Sequence, residues 1–226
     1  GVPFTGGTYF PPKEMKGRPS FTQVLNNVSK VYKENREKII NQVEQMKLVF
    51  KEFNLKTAVI KQDVEPLVEK ILQYMDEKNG GFKGAPKFPQ LYIFDTIFYF
   101  YNKNKKNAFL DVVRKLLNNI SSKGIYDHLG GGISRYTVDE KWIVPHFEKM
   151  LYDNILFVRT VNNYLVNKQD KKLNDKLIQT INFINNEFLN DKNLLGSAYD
   201  ADSEGIEGKY YVWSAEEIKG LLGKDI

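Results

Sequence analysis

The chain contains no cysteine, which excludes disulfide scaffolds, thiolate metal sites and cysteine nucleophiles within its 226 residues. It has no run of about 18 apolar residues and no basic segment followed by an apolar one, so the sequence predicts a soluble, cytoplasmic protein without a membrane partner. Arginine-rich runs are also absent. The 33 basic and 28 acidic residues are spread along the chain, and a net charge of +5 is here typical of a solvated surface and not of nucleic-acid binding.

Histidine is nearly as scarce, and both histidines lie in one stretch, residues 124–154. The stretch is GIYDHLGGGISRYTVDEKWIVPHFEKMLYDN, which also holds one of the two tryptophans and a glycine triplet. Glycine permits positive φ and close approach of other groups, and Pro145 is expected to set the first turn of a following helix. We therefore interpret this stretch as a long ordered loop that leads into a helix, and as the functional centre.

From Asp63 onward the pattern predicts a mainly α fold, in which helices are joined by loops of alternating length. Five helices are predicted over residues 65–78, 91–101, 108–122, about 147–167 and 173–189, and a last one begins near Ser214, a candidate cap. Because helices joined by short turns are antiparallel neighbours, all the long loops should emerge on one face. The second and fourth helices, which are the most apolar, should then form an inner layer.

The N-terminal residues have a different pattern. The segment VPFTGGTYF, residues 2–10, has the apolar and β-branched content of a strand, and residues 19–47 predict one long helix or two in line. Because a strand without a partner is barely stable, we expect its sheet to lie upstream and the chain to be a fragment. Residues 48–62 are weakly patterned and are expected to link the two parts.

The three long loops resemble one another. Their shared order is an aspartate followed by a glycine turn: Asp76 before Gly80-Gly81-Phe82, Asp127 before Gly131-Gly132-Ile133, and Asp200 before Gly208-Lys209-Tyr210. This weak repeat of about 50 residues is typical of helical-hairpin arrays. Three hairpins do not close a ring, so we expect the chain to continue past Ile226.

Four strings resemble those of the spermatogenesis-associated protein 20 family: GGTYFPP, GGFKGAPKFP, the long central string and SAYDADSEGIEGKYYVW. The match covers nearly the whole chain in order. It implies a thioredoxin-like domain followed by a six-hairpin (α/α) toroid, similar in architecture to N-acylglucosamine 2-epimerases and six-hairpin glycosidases. Residues 1–62 would then be the C-terminal remnant of the thioredoxin-like domain plus a linker, and residues 63–226 the first three toroid hairpins. The family's cysteine motif would lie upstream, so no redox activity is assigned here.

His128 and His146 are the first candidate catalytic residues. Imidazole titrates near neutral pH, and a histidine pair can move a proton on and off the carbon next to a carbonyl, as sugar 2-epimerisation requires. Alternatively, each histidine hydrogen-bonds loop backbone and holds the turn in shape. A zinc site would need a third ligand, and no H-E-x-x-H spacing exists, so neither a metal nor another cofactor is expected.

Carboxylates form a second set of candidates. Glu148 is a catalytic candidate because it stands beside His146, whereas Asp153, one turn into the predicted helix, is more typical of a cap and is otherwise a substrate-binding candidate. Asp200 and Asp202, followed by Glu204, are acidic residues of the third long loop. Paired carboxylates suit glycoside hydrolysis, and this spacing also suits a hard cation. An acidic loop is equally typical of solvated surface.

Arg135, Tyr136 and Trp142 are the predicted sugar-binding residues, together with the nearby Asp127. Aromatic faces stack on apolar ring faces, and a guanidinium offers forked donors to hydroxyls or phosphate. Tyr210, Tyr211 and Trp213 can serve similarly or pack the loop. The alternation in KYYVW suits a short strand, which favours packing for Tyr211 and Trp213.

Two functional hypotheses follow. The first is a carbohydrate-active enzyme, either epimerase-like or glycosidase-like, whose sugar substrate binds at the long-loop face in a concave pocket with convergent titratable groups. The second is a non-catalytic toroid that binds a partner or client protein for an attached thioredoxin-like domain, which predicts an open apolar patch and no convergent polar cluster. A fold-level analogy cannot by itself establish a reaction.

Overall fold

A computed structural model describes residues 2–15, 17–53 and 64–223 of the chain. Contacts between residues divide the chain into two units, residues 1–62 and residues 63–226. No helix in the described ranges is long and apolar enough to cross a membrane.

The first unit is formed by two consecutive helices, α1 (Phe21–Glu34) and α2 (Arg36–Phe53). Ser20 caps α1 in a capping box, in which its hydroxyl accepts a hydrogen bond from the Gln23 N–H and the Gln23 side chain accepts one from the Ser20 N–H. Of the two predicted arrangements, one long helix or two helices, the structure has two consecutive helices. Residues 2–10 form no strand, because the described part of this unit offers no strand with which they could pair.

The second unit is mainly helical, which confirms the predicted fold class. Its helices are α3 (Glu65–Leu72), α4 (Leu91–Asn104), α5 (Asn107–Ser122), α6 (Leu151–Asn167), α7 (Lys171–Phe183), which ends in a π-helical turn (Ile184–Phe188), and α8 (Ala215–Leu222). Four two-residue strands form two antiparallel pairs: β1 (Lys149–Met150) with β2 (Ala198–Tyr199), and β3 (Asp202–Ser203) with β4 (Ile206–Glu207).

The helices form two layers. The inner helices α4 and α6 pack against each other, α5 packs against α4, α7 packs against α6, and the outer helices α5 and α7 also touch. The core between the layers is built from large apolar side chains of all four helices, among them Phe94, Ile97, Val113, Leu116, Ile120, Phe157, Val161 and Leu173. The apolar second and fourth predicted helices are therefore the inner ones, as the pattern indicated.

Several predicted boundaries are wrong for reasons of tertiary pairing. The fourth predicted helix begins at Leu151 and not at residue 147, because Lys149 and Met150 are hydrogen-bonded to β2 and Pro145 lies in a bridge with Thr137. The first predicted helix ends at Leu72. The KYYVW segment is a turn and not a strand, since Tyr211 donates its N–H to Gly208 O.

The predicted linker also differs from the structure. The helix α2 extends to Phe53, so residues 48–53, which were expected to be part of the link, are helical. The rest of the predicted linker, residues 54–62, lies outside the described residues.

The long loops of the second unit meet on one side of the helical layers. The first and second loops are joined by two backbone hydrogen bonds between Lys87 and Thr137, of 2.8 and 2.9 Å. The second and third loops are joined by the pairing of β1 with β2. This arrangement confirms the expectation that the long connections share a face, and it positions the candidate site.

The first two loops begin with the same turn. The Asp76 N–H donates to Gly81 O at 2.7 Å, and the Asp127 N–H donates to Gly132 O at 2.9 Å. Each aspartate side chain also accepts hydrogen bonds from N–H groups two and three residues ahead. Asp200 accepts only from the Asp202 N–H among the described residues. The predicted repeat therefore holds for two loops, and the third has a different turn.

Candidate active site

Each of the two repeated turns is held by a buried lysine. Lys87 Nζ lies 2.6 Å from Asp76 Oδ2, and Lys149 Nζ lies 2.7 Å from Asp127 Oδ2. Burying an ammonium is unfavourable unless it is paired, and these pairs supply the partner. Although burial opposes it, the hydrogen bond from Lys149 holds the pKa of Asp127 below its usual value. Asp127, predicted to bind substrate, therefore has a structural role in its loop.

Neither buried lysine was singled out from the sequence. Lys87 and Lys149 lie among the 33 basic residues of the chain, most of which are solvated. The aspartate that pairs with Lys87 lies 11 positions earlier, and the one that pairs with Lys149 lies 22 positions earlier. No local spacing in the sequence therefore distinguishes these two lysines from the solvated ones. The repeated aspartate before a glycine turn was the only available signal, because a buried aspartate of this kind requires a cation.

Trp142 is also structural, and its prediction as a sugar-stacking residue is wrong. Its side chain is 0% exposed, its Nε1 donates to Asn79 O at 2.9 Å, and Lys87 Nζ lies 5.0 Å from its ring centroid. A ring that is enclosed on all sides cannot stack on a ligand. Trp142 instead joins the second loop to the first.

A cavity of about 360 Å³ opens where the loops meet the first turns of α4 and α6, and we call it the mouth cavity. It is lined by Phe88, Pro89, Gln90, Leu91, Tyr92, Arg135, Tyr152, Asp153 and Leu156. Tyr92 and Leu156 also line a groove of about 550 Å³ between α4 and α6. The mouth cavity therefore adjoins a groove that lies between the inner helices.

Arg135 and Glu148 are brought together at this cavity. Arg135 Nη1 lies 3.0 Å from Glu148 Oε2, and the Arg135 backbone N–H donates to Glu148 O at 2.8 Å. The hydrogen bond with Glu148 raises the pKa of Arg135. Arg135 Nε is buried and has no hydrogen-bond partner in the described part of the chain. The guanidinium is thus held in place by Glu148, while its Nε is buried without a partner among the described residues.

An aromatic stack extends the wall of the mouth cavity. The rings of Tyr136 and His146 are stacked, with centroids 4.6 Å apart and planes at 18°, and Phe88 lies 4.7 Å from Tyr136. His146 Nδ1 lies 2.7 Å from Glu207 Oε1. Of the predicted site residues in this region, Arg135 lines the cavity, Tyr136 packs against the lining residue Phe88, and His146 packs behind Tyr136.

Asp153 is the most perturbed carboxyl group at the mouth cavity. It lies in the first turn of α6 and makes no hydrogen bond to a backbone N–H among the described residues, so the capping interpretation is not supported. Burial raises the pKa of Asp153 to about 6, against the opposing effect of the Arg135 charge. Its Oδ2 is buried without a partner in the described residues. A carboxyl group that titrates near neutral pH can both accept and donate a proton.

This raised pKa predicts a pH-dependent effect of Asp153→Asn on stability. Because the native state binds the Asp153 proton more tightly than the unfolded state does, ionisation destabilises the fold as the pH rises from about 4 through about 6. We expect the substitution to increase the free energy of unfolding by about 1–2 kcal/mol near pH 8 and to change it little near pH 4. Urea unfolding at both pH values measures the difference. An equal effect at both would contradict the raised pKa.

His128 lies apart from His146, and the predicted histidine pair is not formed. His128 is exposed, with Nε2 3.1 Å from Lys123 O and Nδ1 3.3 Å from Lys176 Nζ of α7, and it shares no neighbour with His146 in the described residues. The backbone contact fits the alternative interpretation, in which this histidine holds the loop.

Asp200 and Asp202 do not line the mouth cavity either. Asp200 lines a different cavity, and Asp202 is an exposed residue of β3 that pairs with Glu207. Their predicted catalytic role together with Glu148 therefore lacks the required common site. Within the ranges that the structure describes, no group of three or more histidine, aspartate or glutamate side chains could hold a metal ion.

Tyr92, Tyr152 and Phe88 are cavity residues that the sequence analysis missed. Tyr92 is an exposed tyrosine on a helix that is otherwise apolar nearly all round, and this contrast was a usable signal. Phe88 and Tyr152 are separated by more than 60 positions, and only the packing of the first long loop beside the first turn of α6 brings them to one cavity.

Comparison with known protein sequences supports the family resemblance. A family model of thioredoxin-like DsbH type, described as a protein of unknown function (DUF255), matches residues 1–51. An uncharacterized protein of Caenorhabditis elegans is 33% identical over 98% of this chain, and spermatogenesis-associated protein 20 of Homo sapiens is 28% identical over 99%. These alignments cover 32% and 31% of the two relatives, so the chain spans about a third of their length.

Comparison with solved structures concerns the fold alone, since the identities are low. A sugar epimerase from a ruminal bacterium aligns with a TM-score of 0.52 and 18% identity, covering 64% of this chain and 42% of that one. Cellobiose 2-epimerase from Spirochaeta thermophila aligns with a TM-score of 0.52 and 16% identity, covering 62% and 41%. The fold is therefore that of the α/α toroid of these epimerases.

Proposed function

We propose that this chain, whose sequence is similar to that of spermatogenesis-associated protein 20 along nearly its whole length, is part of a carbohydrate-active enzyme. In this proposal, a small sugar binds in the mouth cavity and a proton is moved at the carbon next to its carbonyl group. The main support is the presence, at one cavity, of two groups that each have a buried atom without a partner among the described residues: Oδ2 of Asp153, whose carboxyl group has a pKa of about 6, and Nε of Arg135. A polar ligand is the neighbour that would supply partners to both.

The proposed reaction assigns a separate task to each of these groups. The Asp153 carboxylate removes the proton from the carbon, and the electron pair of the broken C–H bond moves toward the carbonyl oxygen, which becomes an enolate oxygen. Arg135 donates a hydrogen bond to that oxygen as its negative charge develops. Return of a proton from protonated Asp153 to the carbon restores the carbonyl and exchanges that hydrogen with solvent, and a base with a pKa near the working pH is suited to both steps. Epimerisation additionally requires a second acid that delivers the proton to the opposite face of the enolate.

The remaining residues of the cavity position the sugar. Glu148 holds the guanidinium of Arg135, and Phe88, which is supported by Tyr136 and, behind it, His146, offers an aromatic face for the ring of the sugar. His146 is a second candidate for proton transfer, because imidazole can act as acid or base. His128, Asp200 and Asp202 have no part in the proposed reaction.

The proposal extends to the whole protein. We propose that residues 1–62 belong to a thioredoxin-like domain and residues 63–226 to the first hairpins of the toroid, and that the protein is cytoplasmic. The solved neighbours are named as epimerases, and this reaction class is transferred here as part of the proposal. A protein partner bound through the thioredoxin-like domain is compatible with the same architecture.

Isotope exchange tests the proposed reaction. The full-length protein is incubated in deuterated water with a panel of aldoses, ketoses and their phosphates, and deuterium at the carbon beside the carbonyl is measured by NMR. We expect exchange with at least one sugar and a loss of about 100-fold or more in Asp153→Asn, which lacks the base. Asp111→Asn is the matched control, because Asp111 is exposed on α5 and, among the described residues, forms an ion pair only with Arg114.

The outcome also decides between the two functional hypotheses. If no sugar exchanges, or if Asp153→Asn exchanges as fast as the unaltered protein, the enzymatic proposal is wrong. The non-catalytic toroid that presents a client protein to a thioredoxin-like domain would then be the better explanation. That alternative predicts no convergent polar cluster, whereas the mouth cavity brings together Arg135, Glu148 and Asp153.

A further inference from the structure

A second cavity, of about 310 Å³, lies between the second and third long loops and the π-helical turn that ends α7. It shares no lining residue with the mouth cavity, and we call it the third-loop cavity. π-Helical turns are rare and occur often at functional sites. Here the turn contributes Glu187 to the lining.

The inner end of the third-loop cavity already holds an ammonium group. Lys149 Nζ lies 4.4 Å from the ring centroid of Phe183 and 5.1 Å from that of Tyr211. Its charge is balanced by Asp127 at 2.7 Å. Ammonium groups at these distances from aromatic faces are attracted by the negative potential of the ring. The protein thus uses its own lysine to fill a site made of aromatic rings and a carboxylate.

The outer end of the same cavity has similar chemistry but no resident cation. Tyr199 and Tyr210 lie there, and the ring of Tyr210 is 5.1 Å from that of Tyr211 at an angle of 83°. Two carboxylates, Glu187 and Asp200, also line this cavity, and no lysine or arginine within residues 64–223 lies at ion-pair distance from either, although Glu187 interacts with the charge of Lys149 at longer range. Tyr210 is 75% exposed, so this end is open to solvent.

The charged residues that line the third-loop cavity determine whether it favours a cationic or an anionic ligand. Asp127, Glu187 and Asp200 are acidic and Lys149 is the one basic residue of the lining, which leaves an excess of two negative charges. Phosphate or carboxylate ligands would be repelled by this excess. A cation is attracted both by the carboxylates and by the tyrosine rings, and aromatic cages of this kind suit alkylated ammonium groups.

We propose that the third-loop cavity binds a small organic ammonium compound, with its charged group between Tyr199 and Tyr210 and beside Glu187 and Asp200. This binding site is independent of the sugar chemistry proposed for the mouth cavity. It requires no bond to form or break. The predicted preference is for a positively charged nitrogen over an uncharged group of the same shape.

Calorimetric titration of the full-length protein with choline tests this proposal. Its uncharged carbon analogue, in which a carbon atom replaces the nitrogen, is titrated in parallel. We expect choline to bind at least about tenfold more tightly than the analogue, because only the charged form gains the interaction with rings and carboxylates. Choline affinity should also fall as salt concentration rises. Equal affinities for the two compounds, or no choline binding, would overturn the proposal.

Two substitutions locate the choline site. Tyr210→Ala and Glu187→Gln alter exposed side chains and should each weaken choline binding by about fivefold or more. Tyr74→Ala and Glu77→Gln are matched controls at exposed positions of the first loop and should leave it unchanged. If the two third-loop variants bind choline as tightly as the controls do, the cavity is not the binding site.

The mouth cavity provides a separate check. Asp153→Asn should abolish sugar exchange while choline affinity stays the same, because Asp153 does not line the third-loop cavity. Failure of one proposal is therefore distinguishable from failure of the other.

Discussion

Replacement of Asp127 by asparagine should lower the free energy of unfolding by about 3–5 kcal/mol, because it leaves the ammonium of Lys149 buried without a counter-charge. The Lys149 side chain is 2% exposed, and its Nζ has Asp127 Oδ2 at 2.7 Å and Gly131 O at 2.8 Å as hydrogen-bond acceptors. The asparagine is nearly isosteric, so the loss reports the missing charge more than a change of shape. Urea unfolding of the full-length protein measures it.

Two further variants separate the charge effect from other causes. Asp175→Asn removes an exposed carboxylate from α7 and should change stability by less than about 0.5 kcal/mol. The double variant Asp127→Asn with Lys149→Met removes the uncompensated charge as well, and should recover much of the loss. If the double variant is less stable than Asp127→Asn alone, the buried charge is not the cause.

The same ion pair predicts acid sensitivity. The native pKa of Asp127 is below its unfolded value, as is that of Asp76, where hydrogen bonds from Asn79 and Lys87 outweigh burial. Such carboxylates contribute stability that is fully present above about pH 4 and is lost as the pH falls through their native pKa. The unaltered protein should therefore lose stability below about pH 4, and Asp127→Asn should lose less over the same range.

Gly132→Ala is the second substitution for which we expect a large loss, of about 3 kcal/mol. Gly132 has φ +80°, a conformation that disfavours any Cβ, and an added Cβ would lie 2.6 Å from Phe183 Cδ1 and 2.7 Å from Asn154 Oδ1. Asn154 is fully buried and its Oδ1 accepts a hydrogen bond from the Ile133 N–H at 2.7 Å. The clash therefore strains the backbone and displaces a buried hydrogen bond.

Gly205→Ala is a matched control for this prediction. Gly205 has nearly the same φ, +77°, but nothing lies within 4 Å of an added Cβ. Its replacement should cost about 1–2 kcal/mol from the backbone conformation alone. The difference between the two losses in unfolding free energy measures the effect of close packing at Gly132, and equal losses would show that packing there tolerates a methyl group.

Local features were predictable because their causes lie within a few residues. The apolar spacing of α4 and α5 and the cap at Ser214 depend on neighbours one turn away, and all three were found where the pattern indicated. The two aspartate turns at Asp76 and Asp127 are also local, since each side chain binds N–H groups that follow it directly.

The site was predictable only in part, because its residues come from separate segments. Arg135, Tyr136, His146 and Glu148 were found in the correct loop, but the same stretch also contained His128 and Trp142, whose environments proved different. Nothing in the order of the residues distinguishes a tryptophan that packs under a loop from one that faces a ligand. The distinction depends on Lys87 and Asn79, which belong to another loop.

The sequence alone was sufficient to predict the helical class, the layer to which each main helix belongs and the shared side of the long loops. Apolar spacing and the lengths of the connections carry that information. Folding in three dimensions set the start of α6, the burial of Lys87 and Lys149 and the raised pKa of Asp153. These properties depend on residues that are far away in the sequence and that exclude water from the side chain in the folded protein. The local sequence pattern does not show which residues these are.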